Sequence, residues 1–387
     1  MSDASAAPFA LYVHVPWCRH ICPYCDFNVV RNPAPPADDF AARVATELAA
    51  HVAAPPWAGR RVQSVAFGGG TPSLLPPRAV ATILAAIDHL CGVEAGAEVS
   101  LEANPATVTE AAAAGWRAAG VNRLSLGAQS FDPAALATLG RDHTPADIAA
   151  AVAAARVAGF ADVGLDLICA VPGTGVATWR DDLARAIALA PEHVSAYCLT
   201  YEERTPFFRW RATGRVVPVD EETELAMLAA TTAILTAAGF SRYEISNWAR
   251  PGFPSRHNEA YWVGTDYLGL GPGAHGFSAS PAPGRRTVNV RRPDAWAAAV
   301  SAHGTAVAAD EPLTPERARA DFVWTGLRRI AGVDLAEFRR RFDTPLAAAF
   351  PHVVDLVTDD LLEESSGRLR LTARGLLLAD AVAATFV

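Results

Sequence analysis

From residue 9 to about 240 the chain repeats one pattern: a short run rich in β-branched and aromatic residues, a Gly- or Pro-bearing loop, then an Ala-rich stretch with helical spacing. Six runs read as strands, at 11–15, 62–67, 98–102, 123–126, 162–167 and 193–199. Helical stretches lie between them at 37–53, 78–90, 110–119, 145–158 and 178–189, and another at 221–238 follows the sixth strand. Strand and helix alternating in this way predict parallel strands with right-handed crossovers. Six units are too few for a closed eightfold barrel, so the expected fold class is α/β, an open (β/α)6 partial barrel.

The alternation stops at 243. The stretch 243–300, rich in Gly, Pro, aromatics and His, reads as a covering or connecting segment. Helical patterns at 317–330, 335–342 and 353–359 precede a short strand, 369–371, and a last helix from 373. Helices with a small β wing predict a mainly α, winged-helix-like C-terminal domain. The expected division is therefore 1–242, 243–300 and 301–387.

Composition narrows the class. A net charge of −8 over 387 residues argues against a nucleic-acid surface, and the acidic run at Asp355, Asp359, Asp360, Glu363 and Glu364 argues the same for the wing. All 33 basic residues are Arg, which reads as base composition of the genome and not as mechanism. No run of ~18 apolar residues is present to span a bilayer. The first eight residues carry Asp3 and no basic residue, unlike a secretory or transit leader, so a cytoplasmic protein is expected. Of six cysteines only Cys18, Cys22 and Cys25 cluster; Cys91, Cys169 and Cys198 stand alone and read as small buried hydrophobes in a reducing compartment.

Chemistry in such barrels collects at the C-terminal strand ends. Cys18-Arg-His-Ile-Cys22-Pro-Tyr-Cys25 follows the first strand and Gly68-Gly-Gly-Thr71 the second; Glu102, Gln129 and Asp166 end the third, fourth and fifth. Three thiolates on a short loop face a common centre. Four would close an electron-transfer cluster, whereas three leave one iron open to a small molecule. The alternative is zinc, with His14 or His20 as a fourth ligand, although neither has the usual spacing.

The cysteine spacing, with Tyr24 between the second and third cysteines, and the Gly68–Gly70 run with Thr71 resemble the radical S-adenosylmethionine superfamily. The resemblance implies a radical-SAM partial TIM barrel holding a [4Fe-4S] cluster on Cys18, Cys22 and Cys25. The open iron would be chelated by the amino and carboxylate groups of S-adenosylmethionine. The chain as a whole resembles the family of oxygen-independent coproporphyrinogen III dehydrogenases and the related HemW-type heme chaperones, which implies a HemN-type C-terminal domain. Tyr12, Tyr24, Gly69, Gly70, Thr71, Glu102, Gln129, Arg141, Asp166 and His275 fall where that family contacts S-adenosylmethionine. Absent side chains at the glycines would let the backbone approach the cofactor. No catalytic residue is assigned.

Two features separate the branches. The dehydrogenases carry a fourth cysteine two residues after the third, where this chain has Phe27, and His257-Asn-Glu-Ala-Tyr261-Trp262 resembles the chaperone branch's HNxxYW motif. The resemblance thus implies heme contacts at His257 and Tyr261. It further implies delivery of heme to respiratory heme proteins, with membrane contact through a partner and a homodimer left open. The rival readings are radical decarboxylation of coproporphyrinogen III, and an iron-sulfur electron-transfer or redox-sensing protein. The family's Tyr-Gly pair after the fifth strand is replaced by Cys169-Ala170.

Overall fold

The computed structural model describes residues 7–387; the reading of the first eight residues as no leader falls mostly outside the described residues. All six expected strands form: β1 (Phe9–Val15), β2 (Val62–Gly69), β3 (Val93–Ala103), β4 (Arg123–Gln129), β5 (Asp162–Cys169) and β6 (His193–Cys198). Each pairs in parallel with the next. Helices α1 (Ala37–Val52), α2 (Pro77–Cys91), α3 (Glu110–Ala119), α4 (Pro133–Thr138), α5 (Pro145–Val157) and α6 (Val176–Ala188) connect them, followed by α7 (Pro206–Ala212) and α8 (Glu221–Ala237). Strands covered on both faces can be nearly continuous apolar runs. Phe9, Leu11, Val13 and Val15 of β1, with Val65, Leu101, Leu124, Leu165 and Val194 of its neighbours, form one core with the inner faces of the helices.

The segment expected to cover or connect instead lengthens the sheet at both edges. β7 (Ser241–Arg242) and β8 (Asn247–Ala249) add antiparallel strands beside β6. Beyond α9 (Arg256–Trp262), β9 (Tyr267–Leu270) pairs in parallel with the free side of β1. β10 (His275–Ser278), β11 (Arg285–Asn289) and β12 (Val307–Pro312) then run antiparallel outward, with α10 (Pro293–His303) between the last two. The result is a 12-stranded sheet in the order β12-β11-β10-β9-β1-β2-β3-β4-β5-β6-β8-β7. The sheet thus runs to Pro312, with Val307–Pro312 at its outer edge.

A second core begins at Val323 and includes Leu327, Phe338, Leu346, Leu369 and Phe386. It joins α11 (Pro315–Gly326), α12 (Leu335–Phe342), α13 (Leu346–Ala349) and α14 (Val353–Thr358) to a three-stranded wing. The wing consists of β13 (Val333–Asp334), β14 (Leu362–Ser365) and β15 (Arg368–Leu371), in the order β13-β15-β14.

Glu47 ties the sheet extension to the barrel. Fully buried on α1, it accepts hydrogen bonds from Gly271 N (2.8 Å), Asn289 Nδ2 (2.8 Å) and Trp296 Nε1 (3.2 Å). Burial pushes its carboxyl up to about 7 against those three donors. Glu47→Ala strands all three, at about 1 kcal/mol or more each. The expected loss of stability is roughly 3 kcal/mol, read as a shift of the denaturant midpoint at unchanged slope.

Candidate functional site

The C-terminal ends of β1 to β6 open into one cavity of about 680 Å³. Cys18, Cys22, Cys25, Tyr24, Tyr12, Gly69, Gly70, Thr71, Glu102, Gln129, Arg141, Asp166, His257 and Tyr261 all line it. His275 does not; it starts β10, exposed, on the far side of the turn after β9. Its expected cofactor contact is thus not brought to the cavity, because β10 turns away from the barrel once β9 has paired with β1.

The cysteine loop is clamped from several directions. A two-residue pairing of Trp17–Cys18 with Val30–Arg31 closes its base. Asn28 Nδ2 donates to the carbonyls of Pro272 (2.9 Å) and Arg291 (3.0 Å), and its own carbonyl meets His14 Nε2 at 2.9 Å. The loop after α4 holds the other flank. Arg19 pairs with Asp142 at 2.9 Å, Asp142 accepts from Asn104 Nδ2 at 2.8 Å, and the Arg141 guanidinium lies 3.7 Å from Cys22 Sγ while donating to Gly127 O at 2.9 Å. Burial, acting first, raises the Cys18 thiol and pushes Cys25 up to about 11. Metal binding must release those protons.

The three thiols are not gathered around the centre of a single ion. Among the described residues no three His, Cys, Asp or Glu side chains converge as ligands of a single ion. The zinc alternative also lacks an open His14, whose ring nitrogens face Asn28 O and Tyr12 Oη (3.2 Å).

The three glycines Gly68, Gly69 and Gly70 at the end of β2 are required by packing. A Cβ at Gly68 would stand 2.7 Å from the Tyr12 ring, one at Gly69 2.6 Å from the His14 ring, and one at Gly70 3.0 Å from Cys18 Sγ. Their missing side chains make room for the chain's own site residues, and the Gly69 N–H is already given to Glu102 Oε2 at 3.2 Å.

Deeper in the cavity the carboxyls form a row. Glu102 and Ser125 are register partners, as are Asp166 and Ser195, and Ser125 Oγ donates to Asp166 Oδ1 at 3.0 Å. Glu102 is open to the cavity but enclosed by the barrel wall. That enclosure, with Asp166 nearby, pushes its carboxyl up to about 7; enclosure also raises Asp166. Gln129 turns into the cavity from a left-handed backbone, φ 64°, a strained conformation of the kind that clusters at functional sites. Phe27 is 67 % exposed beside the thiols.

His257 has no open nitrogen. It lies on α9, 2 % exposed, with Nδ1 3.0 Å from Ser64 Oγ and Nε2 2.8 Å from Tyr261 Oη. Burial lowers it to about 3, so the ring is neutral. Glu98 fixes the helix start by accepting from Arg256 N (3.0 Å) and His257 N (2.9 Å). The imidazole expected to face heme is part of the cavity floor, and Tyr261 is its hydrogen-bond partner.

Sequence reading missed Ser125, Ser195, Asn28 and Asp142. Ser125 was legible as a polar residue inside a drawn strand; Asn28 and Asp142 act through chain segments far away in sequence. No helix among the described residues is long and apolar enough to cross a membrane.

Residues 12–186 match the radical SAM superfamily and residues 313–378 the HemN C-terminal domain. The heme chaperone HemW of Mycobacterium tuberculosis is 39 % identical over 98 % of this chain and 95 % of its own length. HemW of Bacillus subtilis is 32 % identical over 97 % and 98 %. Among solved structures, the radical SAM enzyme coproporphyrinogen III oxidase, HemN, of Escherichia coli superimposes with a TM-score of 0.84. It does so at 24 % identity, over 100 % of this chain and 91 % of that one, a likeness of fold.

Proposed function

Because the chain belongs to the radical SAM superfamily and, within it, to the HemW family, we propose that it is a heme chaperone. On this reading it holds a [4Fe-4S] cluster and S-adenosylmethionine in the barrel mouth and passes heme to respiratory heme proteins in the cytoplasm. The observation that carries this reading is the cavity in which the three thiols of the loop, the Arg141 guanidinium and two enclosed carboxyls meet, with Phe27 and not a cysteine two residues after Cys25. Cys18, Cys22 and Cys25 would bind the cluster, which when present supplies an open iron for the amino and carboxylate groups of the cofactor. Glu102 and Asp166 accept hydrogen bonds from ammonium or ribose hydroxyl donors. Arg141 offsets the negative charge of the thiolates, and Tyr12, Tyr24, Gly69, Gly70, Thr71 and Gln129 shape the walls.

The test is anaerobic reconstitution of the cluster, followed by titration with heme and, separately, incubation with coproporphyrinogen III and S-adenosylmethionine. A saturable shift of the Soret band without formation of protoporphyrinogen is expected. Catalytic formation of protoporphyrinogen would replace the chaperone reading with the dehydrogenase one.

His257→Ala is expected to act on stability, not on heme stoichiometry. It removes two buried hydrogen bonds and strands Ser64 and Tyr261, a loss of roughly 2–4 kcal/mol. Denaturation and Soret titration of the same variant check this; intact stability with lost heme would make the imidazole a ligand after all.

A further inference from the structure

Cys169 and Cys198, far apart in sequence, end β5 and β6 side by side. They are register partners across the parallel pair, Leu199 N donates to Cys169 O at 3.1 Å, and the sulfurs stand 3.1 Å apart. Neighbouring strands run ~4.8 Å apart, within the ~4.4–6.8 Å Cα separation that a disulfide spans. The sulfurs need to approach by only about 1 Å to bond.

The two thiols differ in access. Cys198 is half-buried and lines the cavity, whereas Cys169 is 2 % exposed. The contact with Cys198, and then burial, hold the Cys169 thiol far above its ordinary value. An incoming reagent therefore meets Cys198 first.

We propose that Cys169 and Cys198 form a reversible redox pair at the rim of the cavity, oxidised by low-molecular-weight disulfides and reduced by small thiols. Cys198 loses its proton to solvent and attacks one sulfur of the small disulfide. That S–S bond breaks, a mixed disulfide forms, and one small thiolate leaves and takes up a proton. Cys169 then gives up its proton and attacks the Cys198 sulfur, expelling the second thiolate, which is protonated in turn. Two protein thiols are oxidised and one small disulfide is reduced to two thiols. The new bond ties together the ends of the strands that carry Asp166 and Ser195, three residues earlier on each.

The pair is independent of the cluster reading, and its test reads peptide masses. The full chain is reduced, exposed to glutathione disulfide, blocked with N-ethylmaleimide and digested with trypsin without reductant. Having no Lys, the chain is cut only at Arg, which places Cys169 in 157–180 and Cys198 in 186–204. Cys22 and Cys25 fall in 20–31. The expected product is the cross-linked pair 157–180 with 186–204, abolished by dithiothreitol. C169S should leave a lasting glutathione adduct on Cys198, and C198S should leave Cys169 unmodified. Separate maleimide adducts on Cys169 and Cys198 in the parent chain, with 20–31 oxidised, would overturn the proposal. So would glutathione on Cys169 of C198S at the rate seen for Cys198 in C169S.

Discussion

Changing any one of Cys18, Cys22 or Cys25 to Ser is expected to abolish retention of a complete [4Fe-4S] cluster. A hydroxyl with an alkoxide-like pKa is a poor substitute for a thiolate, the soft ligand that iron-sulfur clusters require. After anaerobic reconstitution the parent chain should hold about four irons per chain on the proposed ligation. Each variant should show no stable visible absorbance after desalting. Cys22→Ser has a second readout. Cys22 is the thiol that Arg141 approaches at 3.7 Å, so Arg141→Met should leave a cluster that forms but is lost faster to a chelator. A full iron complement in all three serine variants would refute the assignment of the loop.

Glu102→Gln is expected to weaken S-adenosylmethionine binding by roughly 10- to 100-fold at pH 8, the ~1.5–3 kcal/mol of a hydrogen bond to a charged acceptor. It should also flatten the pH profile. In the free chain the Glu102 carboxyl is pushed up to about 7, so below that pH it carries a proton that a donor-bearing ligand must displace. Affinity should therefore fall by up to tenfold per pH unit as pH drops below 7, and level off above it. Asp166 is raised in the same direction and accounts for any slope left in the variant. Titration calorimetry on the cluster-loaded chain between pH 6 and 8.5 measures both effects; a flat parent profile would remove Glu102 from the binding step.

The six barrel strands could be read from the residues because each is an apolar run ending at a Gly, Pro or polar residue, and the ends led straight to Cys18, Glu102, Gln129 and Asp166. The sheet extension was not legible. Strands of two to six residues, such as Ser241–Arg242 and Tyr267–Leu270, are too short to show a period, and β9 gains its identity only from its partner β1. Helix α9 carried a signal in Ser255, which caps it, but its seven residues are too few for an apolar stripe to emerge. His257 was therefore read as a loop residue, when its neighbours Ser64 and Tyr261 make it a buried one. Cys169 and Cys198 stand apart along the chain for a related reason: register between parallel strands is invisible in sequence. Ala170 beside them adopts φ 57°, a left-handed backbone that glycine takes without strain.

The pairing of β1 with β9 sets an order of events during synthesis. A strand made at the start of the chain keeps one edge bare until residue 270 has left the ribosome, and bare edges invite mispairing. The cysteine loop hangs from the end of that strand, and Asn28 finds its carbonyl partners only at Pro272 and Arg291. The loop's pairing with Val30–Arg31 and its Arg19–Asp142 contact come early, whereas the Asn28 contacts come only in the last third of the chain. On the proposed ligation, a cluster inserted before residue 272 is made would meet a loop still lacking both of those contacts.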